Sequence, residues 1–465
     1  MESKINVAIT GAGIAGELLL KELRNPRFRK YSIIGFIDDD ENKIRKKVMG
    51  VEVIGSTEEI PEITEKFEID LYIIAIPSAT GKTIKRIVDI IKTTKSNFMI
   101  VPPIFQNLQI NQIAYPRNVD INDLLRRPID NVLTKDSMKQ LRNSKILITG
   151  VAGSIGSELC IQLASCFPKE IIGIDIAETP LYNLANRIKE EFPKINFIPI
   201  IGNVQNKSKI EQLISEYKSE IIYHCAAFKH VGLMEHFPHE CVRNNVMGSL
   251  NVIKAAQANE VGRFVFVSTD KAVYPKGVMG ASKRIIEKYI LALEVNKSKF
   301  MIVRFGNVLE SNGSAIEIFK EQIQKGGPVT ITDRKMERYF MTIIEAAQLV
   351  IQASILGEAG DLMILDMGEP YKIIDIIHQL IELHGFEIDT IPIKEIGKRK
   401  GEKITEELFY SFENPKHLAH ERILKCHANS IQKAKSFISE VEKLTLNCDS
   451  FTKDDLIKRM FKLIK

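Results

Sequence analysis

The stretch KILITGVAGSIGSELCIQLASCF, residues 145–167, decides the fold. An apolar run of strand length feeds a glycine turn, and a helical pattern follows without a break. Glycine at 150, 153 and 156 lets the backbone turn sharply and come close to an anionic ligand. The helix that opens at Ser154, Ile155 and Gly156 aims its first amides at the same point. The next apolar run, EIIGIDI (170–176), holds Asp175 near its end. Strand, glycine turn, helix and strand in this order predict a doubly wound α/β domain with a parallel sheet.

The same alternation extends both ways. Downstream, IIYHCAA (221–227), RFVFVST (263–269) and FMIVRFGNV (300–308) continue the sheet. Beyond Asn307 the pattern turns irregular, as in a small substrate-covering lobe, and 431–465 reads as two amphipathic helices. Upstream, INVAIT (5–10), GAGIAG (11–16) and YSIIGFID (31–38) form a second Rossmann-like start, with Gly11, Gly13, Gly16 and Asp38 at fingerprint spacing. Its residues leave open whether it holds a ligand or is purely structural. The expected organisation is 1–140, a Rossmann-like domain with linker; 141–430, a second Rossmann domain with its lobe; and 431–465, a helical tail. The glycine spacings of the two loops differ, which argues for two domains and against a repeat array. In the second, Asp175 is placed to accept from an adenosine ribose and to repel a 2′-phosphate, which favours NAD over NADP.

Composition narrows the classes. With 64 Lys+Arg against 59 Asp+Glu the chain is mildly basic, and no basic run is interleaved with aromatics, so no nucleic-acid partner is expected. The six cysteines show no metal-type spacing, and no metal is expected. The chain opens on a strand with no signal peptide, and no apolar run reaches the ~18 residues of a membrane helix, so the expectation is a cytoplasmic protein without membrane insertion. A homo-oligomer is expected.

The segment VFVSTDKAVYPKGVMGASKRIIEKYI (265–290) carries the chemistry. Ser268-Thr269-Asp270-Lys271 closes a strand, and Lys283 lies four residues after Met279 on a helix. Together with HCAAFKHV (224–231), NNVMGSLNV (244–252), RFGNVLESNGS (304–314), ERYFMT (337–342), ILDMGEP (364–370) and GKRKGEK (397–403), it resembles the UDP-N-acetylglucosamine 4,6-dehydratase family of extended short-chain dehydrogenase/reductases. Asn203, Gly232 and Tyr274-Pro275 depart from that family's Asp, Pro and Asn-Pro. Met279 stands at its usual Tyr, as in the longer branch.

The resemblance implies hydride loss from carbon 4 of UDP-N-acetylglucosamine to NAD, proton removal at carbon 5, loss of water from carbon 6 and return of hydride there. It implies that Thr269 bonds the carbon-4 oxygen, Asp270 protonates the leaving hydroxyl, Lys271 is the carbon-5 base and Lys283 holds the nicotinamide ribose. Gly150, Gly153, Ser154, Ile155, Gly156, Asp175, Asn203, Val204 and Ala226 would line the cofactor. Lys229, Asn307, Arg338, Arg399 and Glu402 would meet the substrate. Met279 has no exchangeable proton, so the carbon-4 proton needs a route through Asp270, Thr269 or water. The Met-bearing branch implies retention at carbon 5. A nucleotide-sugar 4-epimerase or reductase is the alternative on the same fold. A non-catalytic nucleotide sensor is the alternative outside enzymes, and the complete Thr-Asp-Lys set argues against it.

Overall fold

The computed structural model describes residues 4–102, 116–125, 132–294, 297–309, 311, 313–418, 420–426 and 434–465. The chain divides into two compact units, Met1–Asp130 and Asn131–Lys465. Much of the expected connector, 103–115 and 126–131, lies outside the described residues.

In the first unit, β1 (Ile5–Thr10), β2 (Tyr31–Ile37), β3 (Lys47–Val48), β4 (Val51–Gly55), β5 (Leu71–Ile74) and β6 (Asn97–Ile100) form a sheet in the order β3-β4-β2-β1-β5-β6. All pairs are parallel except β3 with β4. Its glycine loop is shaped by close approach: a Cβ on Gly16 would lie 2.0 Å from the Gly11 carbonyl oxygen. Asp38 accepts the Ala12 amide (2.8 Å), the Asp40 amide (3.0 Å) and Lys43 Nζ (3.1 Å), so its carboxylate braces the loop.

The second unit is built on a nine-stranded sheet. We label its strands β7 (Lys145–Thr149), β8 (Glu170–Asp175), β9 (Phe197–Ile201), β10 (Ile221–His224), β11 (Arg263–Thr269), β12 (Lys299–Phe305), β13 (Leu362–Leu365), β14 (Lys416–His417) and β15 (Ile423–Cys426). The order is β14-β15-β13-β12-β11-β10-β7-β8-β9. Within it, β9-β8-β7-β10-β11-β12 is the strand order of a doubly wound nucleotide-binding sheet, which reverses direction between β7 and β10. The strands from β9 to β13 are parallel, and β15 and β14 add on antiparallel. Buried on both faces, they read as unbroken apolar runs: five consecutive residues of β11 are buried.

This unit starts earlier than its first strand. Val132, Leu133 and Leu141, which flank and end the helix Lys135–Leu141, join the core beneath β7. The C-terminal helices Ala434–Leu446 and Lys453–Ile464 belong to the unit as well. Val441, Leu444, Leu456, Met460 and Leu463 share one apolar core with Met279, Ile286 and Ile290. No helix among the described residues is long and apolar enough to cross a membrane.

Candidate active site

The glycine turn after β7 leads into α1, the label we give to helix Ser154–Ala164. Gly150 adopts φ +67°, and a Cβ there would meet Ala226 Cα at 2.7 Å. A Cβ on Gly156 would lie 2.1 Å from the Gly150 carbonyl oxygen and 2.8 Å from Val151 Cα. Both clashes are with backbone, so no side-chain movement relieves them. Gly156→Ala should therefore cost about 1–3 kcal/mol, seen as a lower thermal midpoint; an unchanged melt would contradict this packing.

Asp175 ends β8, and its carboxylate accepts the Ala152 amide (2.8 Å) and the Ala177 amide (2.9 Å). Each oxygen keeps a lone pair for a further donor. Asn203 follows β9 and accepts the Gln205 amide through its side chain (2.9 Å). Val204 is held by Asn251, which donates to its carbonyl (3.0 Å). Ala226 follows β10. These residues thus gather at the carboxyl ends of β7, β8, β9 and β10, where doubly wound folds bind nucleotides.

The chemistry expected at 269–271 sits at the end of β11. Thr269 donates its hydroxyl to Asp270 Oδ1 (2.8 Å) and accepts the Lys271 amide (3.4 Å). Lys271 Nζ donates to Asp270 Oδ1 and to Asn307 Oδ1, both at 3.0 Å, and lies 3.7 Å from Glu406 Oε1. Burial pulls the Lys271 ammonium down, but the negative charges of Asp270 and Glu406 outweigh it and hold the group above the usual lysine range. Asp270 is fully buried, and its Oδ2 has no hydrogen-bond partner.

Met279 and Lys283 stand on the helix Val278–Leu291, whose first amide is capped by Glu235 Oε1 (2.6 Å). Met279 is buried in the apolar core. Lys283 Nζ donates to the Val267 carbonyl (2.8 Å) and lies 4.5 Å from the centre of the Phe266 ring; burial pulls its ammonium down to about 8. His224 is fully buried between Thr149 and Ser249, at 2.6 and 2.8 Å, and burial holds it neutral with its pKa near 3. It is a structural residue.

Among the expected substrate residues, Arg338 and Glu402 line a cavity together with Lys271, Gly280, Lys403 and Glu406. Arg338 spends its guanidinium on the carbonyls of Glu337 (2.7 Å), Ile404 (2.8 Å) and Lys403 (2.7 Å), with Nε 3.6 Å from Glu406 Oε1. It therefore fixes the segment 403–406. Asn307 is engaged with Lys271, and Glu402 accepts the Thr332 hydroxyl at 3.4 Å. Arg399 and Lys229 are exposed and do not line this cavity.

Two features escape the sequence reading. Glu406, buried beside Lys271, is one of several acids in a polar run and has no periodic signal. The other is a buried charge network. Arg304 on β12 donates to Glu287 Oε1 (3.0 Å) and Oε2 (2.8 Å) and to Glu413 Oε2 (2.8 Å); Ser268, next to Thr269, donates to Glu287 Oε1 (2.7 Å). Tyr274, a candidate proton donor by its place in the loop, points elsewhere. Its backbone is left-handed at φ +39°, its hydroxyl pairs with Ser411 Oγ (3.3 Å), and its ring packs 4.4 Å from that of Tyr410.

Comparison with known proteins gives the family. Residues 146–428, more than half of the chain, match the family described as polysaccharide biosynthesis protein, and residues 1–102 match a family described as CoA-binding domain. The capsular polysaccharide biosynthesis protein CapD of Staphylococcus aureus is 40% identical over 97% of this chain and 75% of its own length. A UDP-glucose 4-epimerase of Rickettsia bellii is 33% identical over 65% of this chain and 88% of its own. The X-ray structure of Pen from Bacillus thuringiensis superimposes with a TM-score of 0.57 at 29% identity, over 67% of this chain and 99% of that one. The chain belongs to the polysaccharide biosynthesis protein family, of the UDP-sugar 4,6-dehydratase type built on the extended short-chain dehydrogenase/reductase fold.

Proposed function

We propose that the protein is an NAD-dependent dehydratase that converts UDP-N-acetylglucosamine into a UDP-4-keto-6-deoxy-N-acetylhexosamine for surface polysaccharide or glycan synthesis. One observation carries this reading: Lys271 Nζ and the Thr269 hydroxyl both donate to Asp270 Oδ1, at 3.0 and 2.8 Å. Elimination needs a base for carbon 5 and an acid for the departing hydroxyl, whereas an epimerase needs only a relay at carbon 4. We place the reaction in the cytosol, where the six free cysteines stay reduced.

The residues at the carboxyl ends of β7 and β8 suit NAD: the Asp175 carboxylate keeps lone pairs beyond those taken by the Ala152 and Ala177 amides, and it would set a negative charge against a 2′-phosphate. Gly150, Gly153, Ser154, Ile155 and Gly156 would hold the pyrophosphate, Asp175 the adenosine ribose and Lys283 the nicotinamide ribose. When bound, NAD would supply the hydride chemistry, as acceptor for carbon 4 of the sugar and donor to carbon 6.

The chain's own residues then have proton work to do. The Thr269 hydroxyl donates to Asp270 and accepts the Lys271 amide, which leaves its oxygen one lone pair to accept from the sugar's 4-hydroxyl. A proton leaving that hydroxyl passes through Thr269 to Asp270. Asp270 delivers it to the carbon-6 hydroxyl, which departs as water. Lys271, once its ammonium has released a proton to water, takes the carbon-5 proton as the amine and later returns it. A protonated Asp beside a neutral Lys costs about 9 kcal/mol in water, and this relay supplies Asp270 with its proton from the substrate. Met279 carries no proton, and the Tyr274 hydroxyl is bound to Ser411. Lys271 is then the donor on the face from which it took the proton, so configuration at carbon 5 is retained, giving UDP-2-acetamido-2,6-dideoxy-α-D-xylo-hexos-4-ulose.

The test is to incubate the pure protein with UDP-N-acetylglucosamine, adding no cofactor, and identify the first product by NMR. A 4-keto-6-deoxy sugar of D-xylo configuration with no net NADH is expected. UDP-N-acetylgalactosamine would make the protein an epimerase, and an L-arabino product would refute retention.

A further inference from the structure

We propose that Glu406 is the positioning residue of Lys271: its carboxylate holds the lysine in line with Asp270 and Asn307 and sets the pH at which the amine loses its proton. The proposal rests on the reading of Lys271 as the base, but its test does not depend on turnover.

The geometry is that of one cation between two buried acids. Lys271 Nζ lies 3.0 Å from Asp270 Oδ1 and 3.7 Å from Glu406 Oε1, and the two carboxylates come from chain positions 136 residues apart. Glu406 is 7% exposed, lines the same cavity as Lys271, and its Oε2 is buried with no hydrogen-bond partner. A buried carboxylate oxygen left without a partner is costly, and in a native site it calls for a role. Burial pushes this carboxyl above the usual range, against the pull of Lys271 and Arg338.

The segment that carries Glu406 is built to stay in place. Arg338 grips the Lys403 and Ile404 carbonyls just ahead of it. Lys403 Nζ donates to the Val273 carbonyl (2.7 Å), two residues beyond Lys271, and to Glu407 (2.7 Å). Tyr410 donates to the Ala272 carbonyl (3.1 Å). The segment 403–410 is thus stitched to the backbone of the two residues that follow Lys271, which a carboxylate meant only for solvent would not need.

The charged groups around Lys271 are Asp270 on its own turn, Glu406 and Lys403 on the facing segment, Arg338 beside Glu406, and Glu402 and Lys276 on the cavity wall. Of these, Glu406 and Asp270 stabilise the ammonium at close range. Removing the charge of Glu406 destabilises the ammonium, so the amine should appear at lower pH. An opposite charge at this range moves a pKa by about 1–3 units, and Asp270 remains, so the lower end applies.

The readout is the pH dependence of trace acetylation of Lys271 by acetic anhydride, followed on its peptide by mass spectrometry in the full-length protein. Glu406→Gln should lower the midpoint by about one pH unit. Glu406→Asp, which keeps the charge but is one methylene shorter, should fall between Gln and wild type. An unmoved midpoint in folded Glu406→Gln overturns the proposal; if that variant does not fold, an unmoved midpoint in Glu406→Asp does so. A lowered midpoint in a protein that dehydrates nothing would leave Glu406 in this role and remove the dehydratase reading. Dehydration with an unmoved midpoint would do the reverse.

Discussion

Replacing Lys271 with methionine should stop the loss of water and the entry of solvent deuterium at carbon 5. Methionine keeps the length and apolar stem of the side chain but neither takes nor returns a proton. Nζ is within hydrogen-bond reach of Asp270 and Asn307, and no other amine lies in that arrangement among the described residues. Losing a general base costs typically 10²–10⁴-fold, and here the same group must also deliver the proton back, so the loss should reach the upper end. Asp270→Asn should slow elimination within that range, because the amide cannot carry the proton from Thr269 to the leaving hydroxyl. Both rates are read by product NMR, with a thermal melt to show that the fold is intact. A wild-type rate in either variant would remove that residue from the mechanism.

The largest effect on stability should come from Arg304→Met. Arg304 is fully buried, and its guanidinium satisfies Glu287 and Glu413 at once, with a further bond from NH1 to the Leu408 carbonyl (3.0 Å). Arg284 adds a second cation, 3.0 Å from Glu287 Oε2 and 3.5 Å from Glu413 Oε1, with its guanidinium 4.3 Å from the centre of the Tyr410 ring. Removing one partner of such a network leaves an uncompensated buried charge and costs about 3–5 kcal/mol. Denaturant unfolding of the variant should show a loss of that size. Arg304→Lys should recover little of it, since an ammonium cannot form the paired bonds. A loss below about 1 kcal/mol, the range of an exposed ion pair, would show that the network carries little stability. Because Ser268 and Glu413 belong to it, the network also ties the end of β11 to the segment that bears Glu406.

Which of these features the sequence displays follows from how far apart their parts lie. Both glycine loops are local: strand, turn, helix and the acid at the end of the next strand fall within about thirty residues, and Asp38 and Asp175 brace their loops alike. The Thr-Asp-Lys end of β11 is legible for the same reason. The Arg304 network joins residues 17 and 109 positions apart, and no periodicity reports such a pairing. Glu406 is hidden differently, since GEKITEE reads as a solvated polar loop until Arg338 and Lys403 are seen to fold it inward. In sequence Arg338 and Arg399 look equivalent as substrate contacts. In the structure Arg338 braces the cavity wall and Arg399 is exposed, a distinction set by backbone carbonyls that a side-chain pattern does not contain. Tyr274 is unusual in sequence for its loop, and its left-handed backbone would suit Asn better; its contacts with Tyr410 and Ser411 account for the ring as a brace between two segments.

In the proposed reaction, hydride moves within one sugar from carbon 4 to carbon 6, coupled to loss of water beside Asp270 and Lys271. It is tested most directly by giving the purified protein UDP-N-acetylglucosamine deuterated at carbon 4, in ordinary water without added cofactor, and locating the label by NMR. The expected result is a 4-keto product whose new 6-methyl group carries the deuterium. UDP-N-acetylgalactosamine with deuterium still at carbon 4 would contradict it.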